Sequence, residues 1–314
     1  MGRPLRFRVV DSEDGSLLPQ LLARRVPELS LTDAKELVRG GAVYLGHLRV
    51  RLPTMRVASG ERVTVHLEGL EARPLSSELV RFVHRDPDFV VLDKPPGVPV
   101  AQTRQTARGT LAEALRRTLV DEGVVRPYVG VVHRLDQGAS GLVMFTVRSV
   151  ANKSVHRQFA EHRIERRYRV RVVGEPPAVL RCEAPLCELP HGRVRVAQSG
   201  EPRARPAVTE LRRVEPVLGE VEGRAAALLD ASLETGRTHQ IRVHCQSEGF
   251  AVLGDRKYGE RPPASEPDDR GEGGSEPSRL FLHAYRLGFA HPTTGERVDL
   301  RAPLPDWARA REDE

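Results

Sequence analysis

Apolar residues near the start of the chain recur first at helical spacing and then in alternation. Leu17, Leu18, Leu21 and Leu22 form one stripe of a short helix. Ser30-Leu31-Thr32-Asp33 opens a second helix through Val38 as a capping box, and Gly40-Gly41 ends it. Alternating segments at 42–45, 47–51 and 62–67 predict strands, the last introduced by Ala58-Ser59-Gly60-Glu61. Residues 1–70 thus read as a small α/β module. The stretch 68–78 is polar and nearly aperiodic, with Gly69, Pro74 and two serines, and predicts a linker over 71–80.

From residue 81 the pattern changes to longer strands with helices between them. Phe89-Val90-Val91-Leu92 predicts a buried strand, and Thr110-Leu111-Ala112-Glu113 caps a helix with Leu111, Ala114, Leu115 and Leu119 on one side and Gly123 as its stop. A strand is expected over 142–147, then a helix over 150–162 with Ala151, Val155 and Phe159 at spacing four. In the strand that follows, the period of two turns Tyr168, Val170 and Val172 inward and Arg167, Arg169 and Arg171 outward. Together with Arg163 and Arg166 these arginines read either as a solvated face or as an RNA-backbone contact. Ala227, Leu229, Ala231 and Leu233 alternate in a further strand, and a helix capped by Thr238, stopped by Gly249 and carrying Arg242 in its first turns comes next. Segment 260–279 is dominated by Pro, Gly, Ser, Asp and Glu and predicts a disordered insert, after which 281–289 resumes the sheet. Strands outnumber helices among these segments.

Charge and composition narrow the partner and the compartment. The 314 residues carry a formal net charge of +6, which favours a polyanion such as nucleic acid. Only four lysines occur, Lys35, Lys94, Lys153 and Lys257, and an arginine skew of this kind also follows from GC-rich coding. Cys182, Cys187 and Cys245 are too few and too unevenly spaced for a disulfide framework or a four-ligand zinc site, which points to a reducing cytoplasm. No run approaches the length of a membrane helix, and the start has no signal-peptide core, so a cytoplasmic monomer without membrane contact is expected.

Candidate chemistry centres on His133-Arg134-Leu135-Asp136, followed by Gln137-Gly138-Ala139-Ser140-Gly141. Read alone, an Asp where a strand meets a glycine-containing turn is more commonly a turn former. As chemistry, it offers a nucleophile that is already ionised at neutral pH and needs no partner base, with Arg134 on the same face of an extended strand. His239 and His244 lack a third metal ligand, and Cys182, Cys187 and His191 read as packing, so no metal is expected. Lys94, Pro95 and Gly97 lack the spacing of a phosphate loop and are expected to shape a turn under the active site.

Several further segments join that motif: Leu92-Asp93-Lys94-Pro95-Pro96-Gly97, Tyr168 in its Arg-rich strand, Thr235-Gly236-Arg237-Thr238-His239-Gln240-Ile241-Arg242-Val243-His244, Gly254-Asp255-Arg256-Lys257-Tyr258-Gly259 and Leu282-His283-Ala284. In this order they resemble the RluA family of pseudouridine synthases over 81–307, leaving 308–314 as a tail. The first seventy residues resemble the RNA-binding domain named after ribosomal protein S-four. The resemblance implies the α+β class, in keeping with the excess of strands over helices, with a mixed, mostly antiparallel sheet and flanking helices. It also implies isomerisation of uridine in RNA without cofactor or metal. Asp136 is then the nucleophile, attacking the anomeric carbon of the ribose or, as the alternative, the base. Arg242 makes the ion pair that keeps it charged, and Tyr168 stacks on uracil and serves the proton transfer at carbon 5. Arg134 fills the space left by the flipped nucleotide and Ile241 packs against the extruded base, with His133 and Arg237 also on the substrate-binding side.

The front module tilts the expected substrate toward large-subunit ribosomal RNA. Transfer RNA is the alternative substrate, and a non-catalytic RNA-binding or ribosome-assembly protein is the alternative function. A glycosidase is disfavoured because no second, paired acid is evident. Two departures from the family pattern stand out: Ala139 occupies a position usually held by Thr, and Leu31-Thr32-Asp33 lacks the basic residue expected at the start of the module's second helix.

Overall fold

The leucine stripe at the start of the chain becomes α1 (Leu18–Arg25), which buries Leu18, Leu21 and Leu22, and α2 (Leu31–Gly40) buries Ala34, Leu37 and Val38. Ser30 Oγ accepts the Asp33 N–H at 3.1 Å, satisfying one of the donors left open at a helix start. Gly41, in the left-handed region at φ 69°, ends α2. These helices share a core with a four-stranded antiparallel sheet of β1 (Leu5–Arg8), β2 (Val43–Leu45), β3 (Leu48–Val50) and β4 (Arg62–Val65), in the order β1-β4-β2-β3. Val43, Val63 and Val65 are fully buried there, each worth about 1.5–3 kcal/mol against exposure.

The computed structural model describes residues 4–67, 75–101, 109–214, 220–221, 224–259 and 280–310. The predicted insert 260–279 lies outside the described residues, as do 71–74 of the predicted linker and 311–314 of the tail. The chain groups into two compact units, Met1–Val80 with Pro99–Pro127 and Arg81–Val98 with Tyr128–Glu314. No helix among the described residues is long and apolar enough to cross a membrane.

The second unit is organised by one large sheet. Its strands are β5 (Phe82–Arg85), β6 (Phe89–Lys94), β7 (Gly130–Val131), β8 (Ser140–Thr146), β9 (Glu165–Val173), β10 (Val179–Cys182), then, after the separate hairpin β11 (Leu186–Glu188) and β12 (Val194–Val196), β13 (Thr209–Arg213), β14 (Glu220–Val221), β15 (Arg224–Leu233), β16 (Leu282–Ala290) and β17 (Arg297–Arg301). The main path runs β10-β13-β15-β9-β16-β8-β6-β5. β8 and β16 pair in parallel and the other pairings are antiparallel, so the α+β class with a mixed, mostly antiparallel sheet is what folds. Of the remaining helices, α3 (Leu111–Asp121) groups with the first unit, while α4 (Ser149–Ala160) and α5 (Gln240–Ser247) belong to the second.

One rung across this sheet positions everything that follows. Ala231 opposes Tyr168, Tyr168 opposes Ala284, Ala284 opposes Gly141 and Gly141 opposes Lys94. The small residues on either side of Tyr168, Ala231 and Ala284, pack in one apolar cluster with it. Gly141 is required twice over: its φ is +104°, and a Cβ there would stand 2.2 Å from the Ala284 carbonyl oxygen. Close approach of β8 and β16 therefore depends on a glycine at this point.

Candidate active site

The strand expected through His133 to Asp136 stops early, at Val131. Beyond it the His133 imidazole, not a backbone carbonyl, accepts the Met144 N–H at 2.9 Å, and the ring rests 5.1 Å from that of Phe159. β7 and β16 each cover only part of the same edge of β8, and His133 closes the gap between them. Burial pushes its pKa down to about 3, with the Arg166 charge adding to the effect, so the ring is neutral at neutral pH. Arg134 is exposed.

After Asp136 the chain turns sharply, the Ala139 N–H donating to the Asp136 carbonyl at 3.1 Å. Underneath sits Lys94, 0% exposed, whose ammonium donates to the carbonyls of Pro95 and Val98 at 2.9 Å each and of Gln137 at 3.1 Å. Burial pulls its pKa down to about 7, opposed by the charges of Asp136 and Asp93. The Gly97 N–H and the Gln137 side chain add two more ties between the same loops, at 2.8 and 3.0 Å. The turn expected around Lys94, Pro95 and Gly97 is thus a clamp on the Asp136 loop. Ala139, 1% exposed, packs with Tyr168 and Ile241, and its backbone braces the turn without a side-chain hydroxyl.

Arg242, on the first turn of α5, joins residues far apart in the chain. Its Nη1 donates to Asp136 Oδ2 at 2.7 Å, while Nε and Nη2 form a two-pronged bond to Asp255, both at 2.7 Å. The Asp255 side chain is 0% exposed, that of Asp136 20%. Burial by itself would raise the Asp255 pKa, but the Arg242 fork and the N–H groups of Lys257 and Tyr258 hold it below the ordinary carboxylate range. Burial likewise works against the charge on Arg242, and its two carboxylate partners more than offset it, so its pKa lies above that of a free arginine.

His239 and Tyr258 complete the surroundings of Asp136. Tyr258 Oη accepts the Val194 N–H at 2.9 Å, leaving its own proton for His239 Nδ1 at 2.7 Å. The imidazole then carries its proton on Nε2, which lies 3.8 Å from Asp136 Oδ1. Burial lowers the His239 pKa, so this ring is neutral at neutral pH. Its backbone is left-handed, φ 54°, and it occupies the N-cap position of α5 expected for Thr238. The Thr238 hydroxyl instead donates to Glu188 at 2.7 Å, and the Gln240 side chain accepts the Arg237 N–H at 3.0 Å.

Tyr168 and Ile241, 7% and 4% exposed, lie in one apolar cluster with Leu135 and Ala139. Burial pushes the Tyr168 hydroxyl up from the ordinary tyrosine pKa, Arg166 opposes the shift and Asp136 adds to it, so the phenol is protonated at neutral pH. Arg237 is partly exposed and its Nε donates to the Pro206 carbonyl at 2.9 Å. On the opposite face of β9, Arg167 and Arg169 do not form an open solvated face, one of the two readings of these arginines: Asp230, itself buried, stands 3.0 Å from one and 3.6 Å from the other.

Of the residues singled out from the sequence, the structure brings Asp136, Arg242, Tyr168 and Ile241 to one face. It commits the His133 ring to the backbone of β8. Asp255, His239 and Tyr258 were not assigned to the site from the sequence. The segment 254–259 carried the only signal for two of them, and it says nothing about which carboxylate pairs with Arg242. Asp86, Asp88 and His291 have the make-up of metal ligands, but their polar atoms are already engaged. His291 Nδ1 accepts the N–H groups of Thr293 and Thr294, Nε2 points at Asp86 at 3.2 Å, and Asp88 accepts from Arg148 and the Thr293 hydroxyl. That cluster ties two turns together.

A carboxylate fixed by a guanidinium near a buried tyrosine is an arrangement that suits nucleophilic chemistry. Residues 88–247, which include Asp136, Tyr168 and Arg242, match the family model described as RNA pseudouridylate synthase. The chain is 36% identical to an "Uncharacterized RNA pseudouridine synthase" of Aquifex aeolicus (strain VF5), covering 96% of this chain and 94% of that one. It is 34% identical to "Ribosomal large subunit pseudouridine synthase D" of Zymomonas mobilis, over 93% of this chain and 91% of the relative. Among solved structures it resembles "Human RNA Pseudouridylate Synthase Domain Containing 1", with TM-score 0.58 and 28% identity over 74% of this chain and 86% of the human one. Similarity of this extent, carried through the segments that hold the site, shows that the chain belongs to the RluA family of RNA pseudouridine synthases.

Proposed function

We propose that this enzyme isomerises specific uridines in large-subunit ribosomal RNA, with Asp136 as nucleophile. The reading of the site rests on one observation above the others: the Asp136 carboxylate is held by Arg242 at 2.7 Å through a single oxygen. In the proposed sequence Asp136 attacks the anomeric carbon of the flipped nucleotide, and the glycosidic electron pair leaves with uracil N1. The uracil turns, carbon 5 attacks the same carbon and displaces Asp136, and the proton on carbon 5 is lost while N1 gains one. Tyr168 stacks on and orients the uracil and, being a protonated phenol, takes the carbon-5 proton as it gives its own to solvent water, from which N1 takes one.

Arg134 enters the gap left in the RNA, Ile241 packs on the extruded base and Arg237 meets the backbone. His133 serves the substrate side indirectly, by fixing the segment that carries Arg134 and Asp136. Residues 1–70 act as a separate RNA-binding module joined through 71–80 to the catalytic part, and the enzyme works as a cytoplasmic monomer. The ribosomal target is supported by the name of the Zymomonas relative and its near full-length match.

Purified protein incubated with unmodified ribosomal and transfer RNA, followed by mapping of pseudouridine, tests this. Large-subunit ribosomal RNA is expected to be modified and Asp136→Asn to leave it unmodified. Modification of transfer RNA alone would overturn the target, and inactivity of the wild type on every RNA would leave only RNA binding.

A further inference from the structure

Arg166 lies on β9 two residues before Tyr168, and so on the same face of the sheet. It is 8% exposed. The other two arginines buried to this degree each face a carboxylate, Arg242 with Asp255 and Asp136, and Arg169 with Asp230. Arg166 faces none among the described residues: no ion pair or hydrogen bond reaches its guanidinium, and Nε is sealed from solvent without an acceptor. Its neighbours are apolar or neutral. The Phe159 ring centroid is 5.6 Å from Cζ, and the two ionisable groups it influences are the neutral imidazole of His133 and the protonated phenol of Tyr168.

The tip of the side chain has been given room. Arg166 Nη1 lies 2.3 Å from where a Cβ would stand on Gly236, an exposed residue of the loop leading into α5. The φ of Gly236 is outside the left-handed region, so it is space for the guanidinium, and not backbone freedom, that a glycine supplies there. A guanidinium does not shed its proton, and a ring face offers too little to offset the loss of water around a full charge. A planar fork of N–H donors matches the oxygens of a phosphate.

Resting on the reading of this face as the uridine site, we propose that Arg166 is the receptor for one phosphodiester of the RNA strand beside the extruded uridine. Its fork is filled only in the complex. Arg134 and Arg237 are open to solvent before RNA arrives, whereas Arg166 is a charge held in reserve within the wall of the site.

The test compares wild type, Arg166→Met and Arg166→Lys on unmodified large-subunit ribosomal RNA transcribed in vitro. Binding is measured from 50 to 200 mM salt, with release of the carbon-5 hydrogen followed in parallel. Loss of one phosphate contact should flatten the plot of log affinity against log salt by about 0.7 for Arg166→Met. Arg166→Lys should keep the slope while binding more weakly, because it retains the charge and loses the fork. In urea, Arg166→Met should be at least as stable as the wild type, since it removes an unpaired buried charge; if it does not fold, Arg166→Gln is held to the same slope criterion. A slope equal to that of the wild type overturns the proposal. Wild type that binds but isomerises no uridine overturns the reading beneath it, and the two failures are told apart by the hydrogen-release arm.

Discussion

Asp136 and Asp255 share one guanidinium, yet the same substitution at each should act on stability in different ways. Asp255 accepts four hydrogen bonds in a site with 0% side-chain exposure: Arg242 Nη2, Lys257 N and Tyr258 N on Oδ1, and Arg242 Nε on Oδ2. In Asp255→Asn the amide oxygen can keep the three donors at Oδ1, which leaves the NH2 group facing Arg242 Nε, donor against donor. Breaking a buried pair from one side costs about 3–5 kcal/mol. At about 1.4 kcal/mol per factor of ten, the folding constant should fall by roughly 100-fold to a few thousand-fold. Asp136 is 20% exposed and accepts one bond from Arg242, which an asparagine oxygen also accepts. Asp136→Asn also removes one of two like charges around Arg242, so its effect should stay within about 1 kcal/mol.

Trp307 is the only tryptophan and lies in the second unit, so its fluorescence in urea reports the unfolding of the part that holds this site. The expected result is a midpoint for Asp255→Asn far below that of the wild type and one for Asp136→Asn close to it, with unchanged slopes. Turnover should vanish in Asp136→Asn. Equal midpoints for Asp255→Asn and wild type, or equal losses in the two variants, would refute the division of Arg242 into a structural fork and a single bond to Asp136.

Gly141→Ala meets both a positive φ and a carbonyl at 2.2 Å, so a loss of about 3 kcal/mol or more is expected, seen as a lower melting temperature. Lys94→Met leaves the carbonyls of Pro95, Val98 and Gln137 without their donor, and both stability, by about 3 kcal/mol, and turnover should drop. His133 has a folded pKa near 3 against 6.5 when free, so the unfolded chain binds more protons between those values. Its contribution is therefore fully present above pH 6.5 and is lost as pH falls toward 3; urea midpoints across that window should decline, and less steeply in His133→Gln, which keeps an acceptor for Met144 but does not titrate. Tyr258→Phe removes the hydroxyl that holds the His239 proton on Nε2, and steady-state kinetics should show a lower kcat with little change in stability.

Local pattern carried most of the fold. The leucines of α1, the Ser30 and Thr110 caps and the alternation around Tyr168 are each decided within one turn or one strand, and each formed as the spacing predicts. Local signals misled where a side chain took over a backbone role. His133 supplies the acceptor that a longer β7 would have offered, and the bonds made by Gln240 and Glu188 shift the start of α5 away from Thr238. The site was legible only as a set of motifs. Arg242 and Asp136 are 106 residues apart, and nothing in their spacing reveals that Asp255 takes two of the three directions of the fork. Arg166 was obscured in another way, since it stands in a run of arginines and is set apart from the equally buried Arg169 only by facing no carboxylate among the described residues.

The division of labour at Arg242 bears on the proposed chemistry. A guanidinium bound to a carboxylate through both prongs engages both oxygens and blunts a nucleophile. Here the two-pronged bond goes to Asp255, a carboxylate with no access to solvent, and this fixes the plane of the guanidinium. One donor, Nη1, is left for Asp136, and it engages Oδ2 alone. Oδ1 is not bonded by the guanidinium, and the His239 Nε2 stands 3.8 Å from it. That distance is too long for a hydrogen bond. The proposed nucleophile, Asp136, is thus anchored through one oxygen, and its other oxygen is left free of the guanidinium. Substituting lysine for Arg242 would supply a charge but neither the second attachment nor the fixed plane, so retention of a positive charge is a weaker requirement at this position than retention of the fork.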